Sequence, residues 1–266
     1  MADVELVGNT AGPKKATQTK AIAIIVDTLR ASTTIPVLFA RGIKEVFVVK
    51  TLAEMDYYRK ELENPLVVGE RNCLPLPSFD FGNSPNQLFA HKKLTQTKAL
   101  FTSTTGAKRI VDSRKSKISY IGAAINAQAI AKKTHRFILE NNLKGDQKII
   151  IIPAFTEGAI NRSKITEDQI GGLLIALELC QYPEMKFPSN LKEEMQYLEQ
   201  LMKENSLEEL IKKTDHAKKL AKLGFEKDIN FCSQKNELDI VPISQKRFKE
   251  GKKGEIAVQF TTKANF

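Results

Sequence analysis

Tryptophan is absent from this chain, and cysteine and histidine occur only three times each. Cys73, Cys180 and Cys232 are widely separated and odd in number, which fits neither a disulfide framework nor a cysteine zinc cluster. His91, His135 and His216 each stand alone, without a carboxylate at ligand spacing, and read as surface or structural residues. No apolar run approaches the roughly 18 residues of a membrane span, and the opening residues Met1-Ala2-Asp3-Val4-Glu5 lack the basic and apolar regions of a signal peptide. Neither a phosphate-binding loop ending in Gly-Lys-Ser/Thr nor a G-x-G-x-x-G fingerprint is present, so nucleotide use is not indicated. These absences point to a cytoplasmic protein that makes no use of a membrane.

The composition is that of a folded domain, with 42% hydrophobic and 27% charged residues in 266. A net charge of +10 invites a nucleic-acid reading. Between Lys203 and Lys253, however, 13 Lys/Arg are interleaved with 9 Asp/Glu, so no basic arm is formed. No ribonucleoprotein-type aromatic motif or zinc-finger spacing accompanies the charge. A lysine-rich, solvated surface is the expectation, and its mild field would draw in a small anionic substrate. Association with further copies of the chain is left open.

β-rich runs alternate with helical stretches. Strands are predicted at Ile22–Val26, Glu45–Val49, Leu66–Val68, Lys98–Thr102, Ile118–Ile121 and Lys148–Pro153. Helices are predicted at Thr34–Ala40, Leu52–Glu63, Asn126–Asn141, Thr166–Leu179, Leu191–Lys203 and Leu207–Leu223. Thr166 and Gln169 form a capping-box pattern, followed by an apolar face of Ile170, Leu173, Leu174 and Leu177. Weaker strands are expected at Ile229–Cys232, Leu238–Val241 and Ile256–Phe260. The rhythm predicts an α/β fold, layered α/β/α around a largely parallel or mixed sheet. Residues 1–20 read as an N-terminal extension, 21–245 as the α/β domain, and 246–266 as a basic tail with an edge strand.

Chemistry-bearing residues gather where predicted strands end. Gly69-Glu70-Arg71 and Phe79-Asp80-Phe81-Gly82-Asn83-Ser84-Pro85 follow one strand. Carboxylates beside an arginine at such a position suit a divalent cation together with an anionic substrate, although turns can also use such pairs to satisfy themselves. Asp27-Thr28-Leu29-Arg30-Ala31-Ser32-Thr33-Thr34 and Thr102-Ser103-Thr104-Thr105-Gly106-Ala107-Lys108 are hydroxyl-rich strand-to-helix junctions that offer donors to an anion. A third junction runs from Ile151 to Gly158.

Asp27 to Ile35, Gly69 to Arg71, Phe79 to Pro85, Asn126-Ala127-Gln128-Ala129, Glu167-Asp168 and the segment from Gly224 to Pro242 resemble, in order and spacing, the blocks of the 2-phosphosulfolactate phosphatase family. The resemblance covers about residues 20 to 245. It implies a magnesium-dependent phosphatase that converts 2-phosphosulfolactate to sulfolactate on the route to coenzyme M. It also implies an α/β fold of two related sub-structures with the site between them. Carried over residue by residue, it falls on Asp27, Arg30, Thr33, Thr34, Glu70, Arg71, Asp80, Asn83, Ser84, Asn126, Glu167 and Asp168.

Glu70, Asp80, Glu167 and Asp168 are the hard oxygen donors expected to bind Mg²⁺, with Arg30 and Arg71 on the acid groups of the substrate. Asp27 is the expected nucleophile, general base or first metal ligand. Where the family commonly has Thr-Thr-Asn-Gly-Thr-Arg, this chain has Ser103-Thr104-Thr105-Gly106-Ala107-Lys108. A substrate-facing turn at Thr104, Gly106 and Lys108 is expected to select less sharply, because an ammonium does not replace a bidentate guanidinium. The alternatives are a phosphatase for another 2-phospho-hydroxy acid and a non-catalytic anion-binding homologue.

Overall fold

The computed structural model describes residues 1–143, 147–155, 164–245 and 249–263. The first half runs β1 (Ala2–Leu6), α1 (Ala11–Gln18), β2 (Ile22–Val26), α2 (Ala31–Ala40), β3 (Glu45–Val48), α3 (Leu52–Glu61), β4 (Leu66–Gly69) and α4 (Pro85–Ala90). It continues with β5 (Lys98–Thr102), α5 (Gly106–Asp112), β6 (Ile118–Ile121), α6 (Ala127–Glu140), β7 (Gln147–Pro153), α7 (Glu167–Leu179) and β8 (Met185–Lys186). Last come α8 (Ser189–Glu204), α9 (Leu207–Lys212), α10 (Asp215–Lys222), α11 (Glu226–Cys232), β9 (Ile243–Ser244), β10 (Lys249–Glu250) and β11 (Ile256–Thr261).

The strands join in one mixed sheet ordered β4-β5-β3-β11-β9-β6-β2-β7-β1-β8, with β10 paired to β11. β4, β5 and β3 are mutually parallel, as are β6, β2, β7, β1 and β8. β11 runs antiparallel to both β3 and β9, and β9 antiparallel to β6. Three reversals therefore separate the two parallel sets, which run in opposite senses. β2 and β7 are covered on both faces, which is why Ile22–Val26 and Ile149–Ile152 are unbroken apolar runs. α2 is buried along nearly its whole length, from Ala31 to Phe39. α7 starts as its sequence predicts, with Thr166 Oγ accepting from Gln169 N and Gln169 Oε1 accepting from Thr166 N.

Several expectations change. Ile229–Cys232 lies in a helix, because Ile229 and Cys232 bury themselves at helical spacing with Asp228. A four-residue apolar run carries too few periods to decide between strand and helix. Leu238–Val241 forms no strand, and the paired residues come later at Ile243–Ser244. The helix expected over Leu207–Leu223 breaks at Thr214, whose hydroxyl accepts from Ala217 N and caps α10. Both ends of the chain enter the sheet. β1 pairs with β7 and β8, and β11, expected at an edge, lies between β3 and β9.

Candidate active site

The loops after β2 and β7 from one parallel set, and after β4 and β5 from the other, open on a shared cleft of about 240 Å³. The start of α7 and one face of α10 complete its walls. Drug-sized sites run to roughly 300–1,000 Å³, so this cleft suits a small ligand. A larger groove of about 800 Å³ around Phe39, Lys132 and Arg136 shares no residue with it and contains none of the predicted site residues.

Asp27 follows β2 and is 7% exposed. Its Oδ1 accepts a long hydrogen bond from Ala31 N at 3.3 Å. Gly106, at the start of α5, makes room for the other oxygen, since a Cβ there would lie 2.2 Å from Asp27 Oδ2. Burial raises the Asp27 carboxyl to about 6, against the lowering effect of His216 and with help from the charges of Glu70 and Glu167.

Glu70 follows β4, and its carboxylate is heavily engaged. It accepts from Cys73 N at 2.7 Å, from Thr104 Oγ at 2.9 Å and from Thr104 N. Asn72 and Cys73, both in left-handed backbone conformations, are held in this turn, and Asn72 N donates to Thr104 Oγ at 3.0 Å. Asp168, in the first turn of α7, accepts from Thr28 N at 2.8 Å and from Phe155 N at 3.0 Å. Burial, then the charges of Asp27 and Glu167, hold its carboxyl well above the ordinary range. Glu70 and Asp168 thus brace the loops around the cleft. Asp27 Oδ2 and the buried Glu167 carboxylate keep lone pairs that no hydrogen bond among the described residues uses.

Arg30 also reaches the cleft, but its guanidinium is committed. Nη1 donates to Asp228 at 2.7 Å, Nη2 donates to the Cys73 carbonyl at 2.7 Å, and the group lies 4.0 Å from the centre of the Phe225 ring. Asp228 accepts in addition from Ser84 Oγ at 2.7 Å and Asn86 N at 3.1 Å. Next to Ser84, Asn83 lines the cleft with a buried side-chain oxygen that has no partner among the described residues.

Other predicted residues fall outside. Asp80 is exposed and accepts from Val67 N at 2.7 Å, near the start of β4, so it does not join the other carboxylates. Arg71 donates to the carbonyls of Glu70 and Lys50 and to Thr102 Oγ, bracing the ends of β3, β4 and β5 instead of facing substrate. Thr33 Oγ donates to the Thr28 carbonyl, and Thr34 is buried in α2. Ser84 caps α4 and binds Asp228. Asn126 accepts from Ala123 N and donates to the carbonyls of Ile121 and Ile240. Lys108 is exposed on α5 and does not line the cleft, whereas Thr104 does line it, with its hydroxyl donating to Glu70. Thr156, Glu157 and Gly158 of the third junction lie outside the described residues.

Three site residues escaped the sequence reading: His216, Lys219 and Asp228. His216, read from the sequence as a surface or structural residue, lines the cleft with Nε2 3.0 Å from the Leu29 carbonyl oxygen. The cap at Thr214 was the available signal, because it starts a helix on which residues 216 and 219 share a face.

The donors facing the cleft suit a hard cation. Among the described residues no three His, Cys, Asp or Glu side chains cluster tightly enough to form a metal cage. Mg²⁺ needs no such cage, because it keeps several waters and binds through one or two carboxylates plus substrate oxygens. Glu167 and the unpaired Asn83 oxygen provide that kind of donor set, with Asp27 in the same cleft.

Known proteins bear on this arrangement. A family profile described as 2-phosphosulpholactate phosphatase matches residues 10–247. A 2-phosphosulfolactate phosphatase of Methanocaldococcus jannaschii is 30% identical over 231 residues, covering 85% of this chain and 89% of that protein. Probable 2-phosphosulfolactate phosphatases of Clostridium perfringens and Carboxydothermus hydrogenoformans are 31% and 28% identical, covering 83% and 82% of this chain and 84% of each relative. With a match across nearly its whole length, and relatives aligned along most of theirs, the chain belongs to the 2-phosphosulfolactate phosphatase family.

Proposed function

We propose that this protein hydrolyses the phosphate ester of 2-phosphosulfolactate to sulfolactate and inorganic phosphate, with Mg²⁺ as cofactor. The observation that carries this reading is the convergence of Asp27, Glu70, Glu167 and Asp168 from distant segments in one small cleft. Two of the four accept hydrogen bonds on both oxygens, and two present open oxygens. A phosphate monoester dianion could not approach such a wall unless its charge were offset. Mg²⁺ held by Glu167 and Asn83 would neutralise phosphoryl oxygens.

Hydrolysis requires a water oxygen to attack phosphorus, the ester P–O bond to break, and one proton to pass to the leaving alkoxide. Asp27, whose Oδ2 is open to the cleft, is placed to take a proton from the attacking water while one passes to the leaving alkoxide. Glu70 and Asp168 fix the loops against which that transfer occurs, so their contribution is preorganisation. Of the departures from the family pattern, Ala107 is buried in α5 and Lys108 is exposed and does not line the cleft, while Thr105 does. That placement favours retained catalysis over a non-catalytic homologue. We place the reaction in the cytoplasm, where its product would serve coenzyme M synthesis.

The test is phosphate release from a panel containing phosphosulfolactate, phospholactate and other 2-phospho acids, with magnesium varied. Release fastest from phosphosulfolactate, lost on chelation and restored by Mg²⁺, is expected. Turnover confined to another phospho acid would overturn the substrate assignment, and turnover unaffected by chelation would overturn the cofactor.

A further inference from the structure

The proposed substrate carries three acid groups, yet most cations around the cleft already have protein partners. Arg30 is held by Asp228, Arg71 by carbonyls and Thr102, and Arg109 donates to the Ala154 carbonyl at 3.1 Å. Lys219 differs. It lines the cleft from α10, and the acid on its own helix, Asp215, is paired with Lys164 and Lys218. Among the described residues, Lys219 has no ion-pair partner. Its ammonium opposes the upward shift that burial imposes on the Cys73 thiol, which places its field inside the cleft. One turn earlier, His216 ties α10 to the loop after β2 through the Leu29 carbonyl.

Resting on the phosphatase reading, we propose that Lys219 binds the sulfonate of the substrate and sets the preference for phospho acids that carry a second strong acid, with His216 as the positioning residue that holds α10 in place. An ammonium presents three donors around a point charge, which suits the three equivalent oxygens of a sulfonate better than the planar fork of a carboxylate. The sulfonate contact is therefore assigned to α10, since in the Thr104–Lys108 turn Lys108 does not line the cleft and the Thr104 hydroxyl donates to Glu70.

The test uses Lys219→Met and Lys219→Arg in the full chain with magnesium present. Sulfolactate, which carries the sulfonate but no phosphate, is titrated calorimetrically, and kcat/KM is compared for phosphosulfolactate and phospholactate. A lost hydrogen bond to a charged group corresponds to a ten- to hundredfold change. Lys219→Met should weaken sulfolactate binding by that factor and reduce the kcat/KM preference for phosphosulfolactate at least tenfold, mainly through KM, with Lys219→Arg recovering part of both. Sulfolactate binding that is undetectable or equal in wild type and Lys219→Met, or an equal loss for both substrates, would overturn the proposal. Lys219-dependent sulfolactate binding in a wild-type protein that releases no phosphate would overturn the phosphatase reading while supporting the subsite.

Discussion

Arg30 and Asp228 are 198 residues apart in sequence and 2.7 Å apart in space, and both side chains are buried. The pair links the loop after β2 to α11, and through Ser84 and Asn86 to the start of α4. A buried guanidinium deprived of its carboxylate is left uncompensated, at a cost of about 3–5 kcal/mol. Asp228→Asn should therefore lower the urea midpoint markedly while the m-value stays close to wild type. A change below about 1 kcal/mol would show that Arg30 has other compensation.

Asp27 gives a stability test whose direction is fixed by its raised carboxyl. Its value in the fold, about 6, exceeds the ordinary 3.8, so the native state favours the protonated form. That stabilisation is complete below about pH 4 and is lost as pH rises through about 6. Asp27→Asn carries no charge to desolvate. In magnesium-free buffer it should be more stable than wild type by about 3 kcal/mol at pH 8, at roughly 1.4 kcal/mol per pH unit, with the gap closing near pH 4. Phosphate release by the same variant should fall at least about 10²-fold. Parallel stability curves across this range would contradict the burial account of Asp27.

Gly106 tests how tightly Asp27 is seated. A methyl group there would lie 2.2 Å from Asp27 Oδ2 and 3.0 Å from Ala31 Cβ, so one of them must move. A displacement of about 1 Å at a reacting group can cost on the order of 10²-fold in rate. Gly106→Ala is expected to lose activity on that scale, seen in kcat more than in KM. Wild-type kcat would mean that the Asp27 carboxylate can shift without consequence.

The parts of the fold that could be read in the sequence were apolar runs leading into hydroxyl-rich junctions and helices with explicit caps. Ile22–Val26, Lys98–Thr102 and the Thr166-capped helix appear where their patterns place them. The antiparallel seam did not announce itself, because β9 has two residues and β11 gives no sign of which strands will flank it. The site divides along a similar line. Asp27, Glu70, Glu167, Asp168 and Asn83 follow strand ends or open a helix within the blocks that carry the family resemblance. What a motif cannot reveal is how its members are used. Arg71 and Asp80 belong to the same blocks but spend their polar atoms on backbone groups. His216 and Lys219 were hidden for the opposite reason, sitting in a lysine-rich helix that looks like ordinary solvated surface.

The antiparallel seam also has a temporal consequence. A ribosome delivers the strands of both parallel sets, and all four loops that wall the cleft, before it delivers Ile256–Thr261. Until β11 pairs with β3 and β9, the sheet lacks the strand that fixes the spacing between its halves. A nascent chain stopped before Ile256 would already contain every acid of the cleft without the backbone tie that sets them at working distance. Maturation of the site thus waits until β11 has been synthesised.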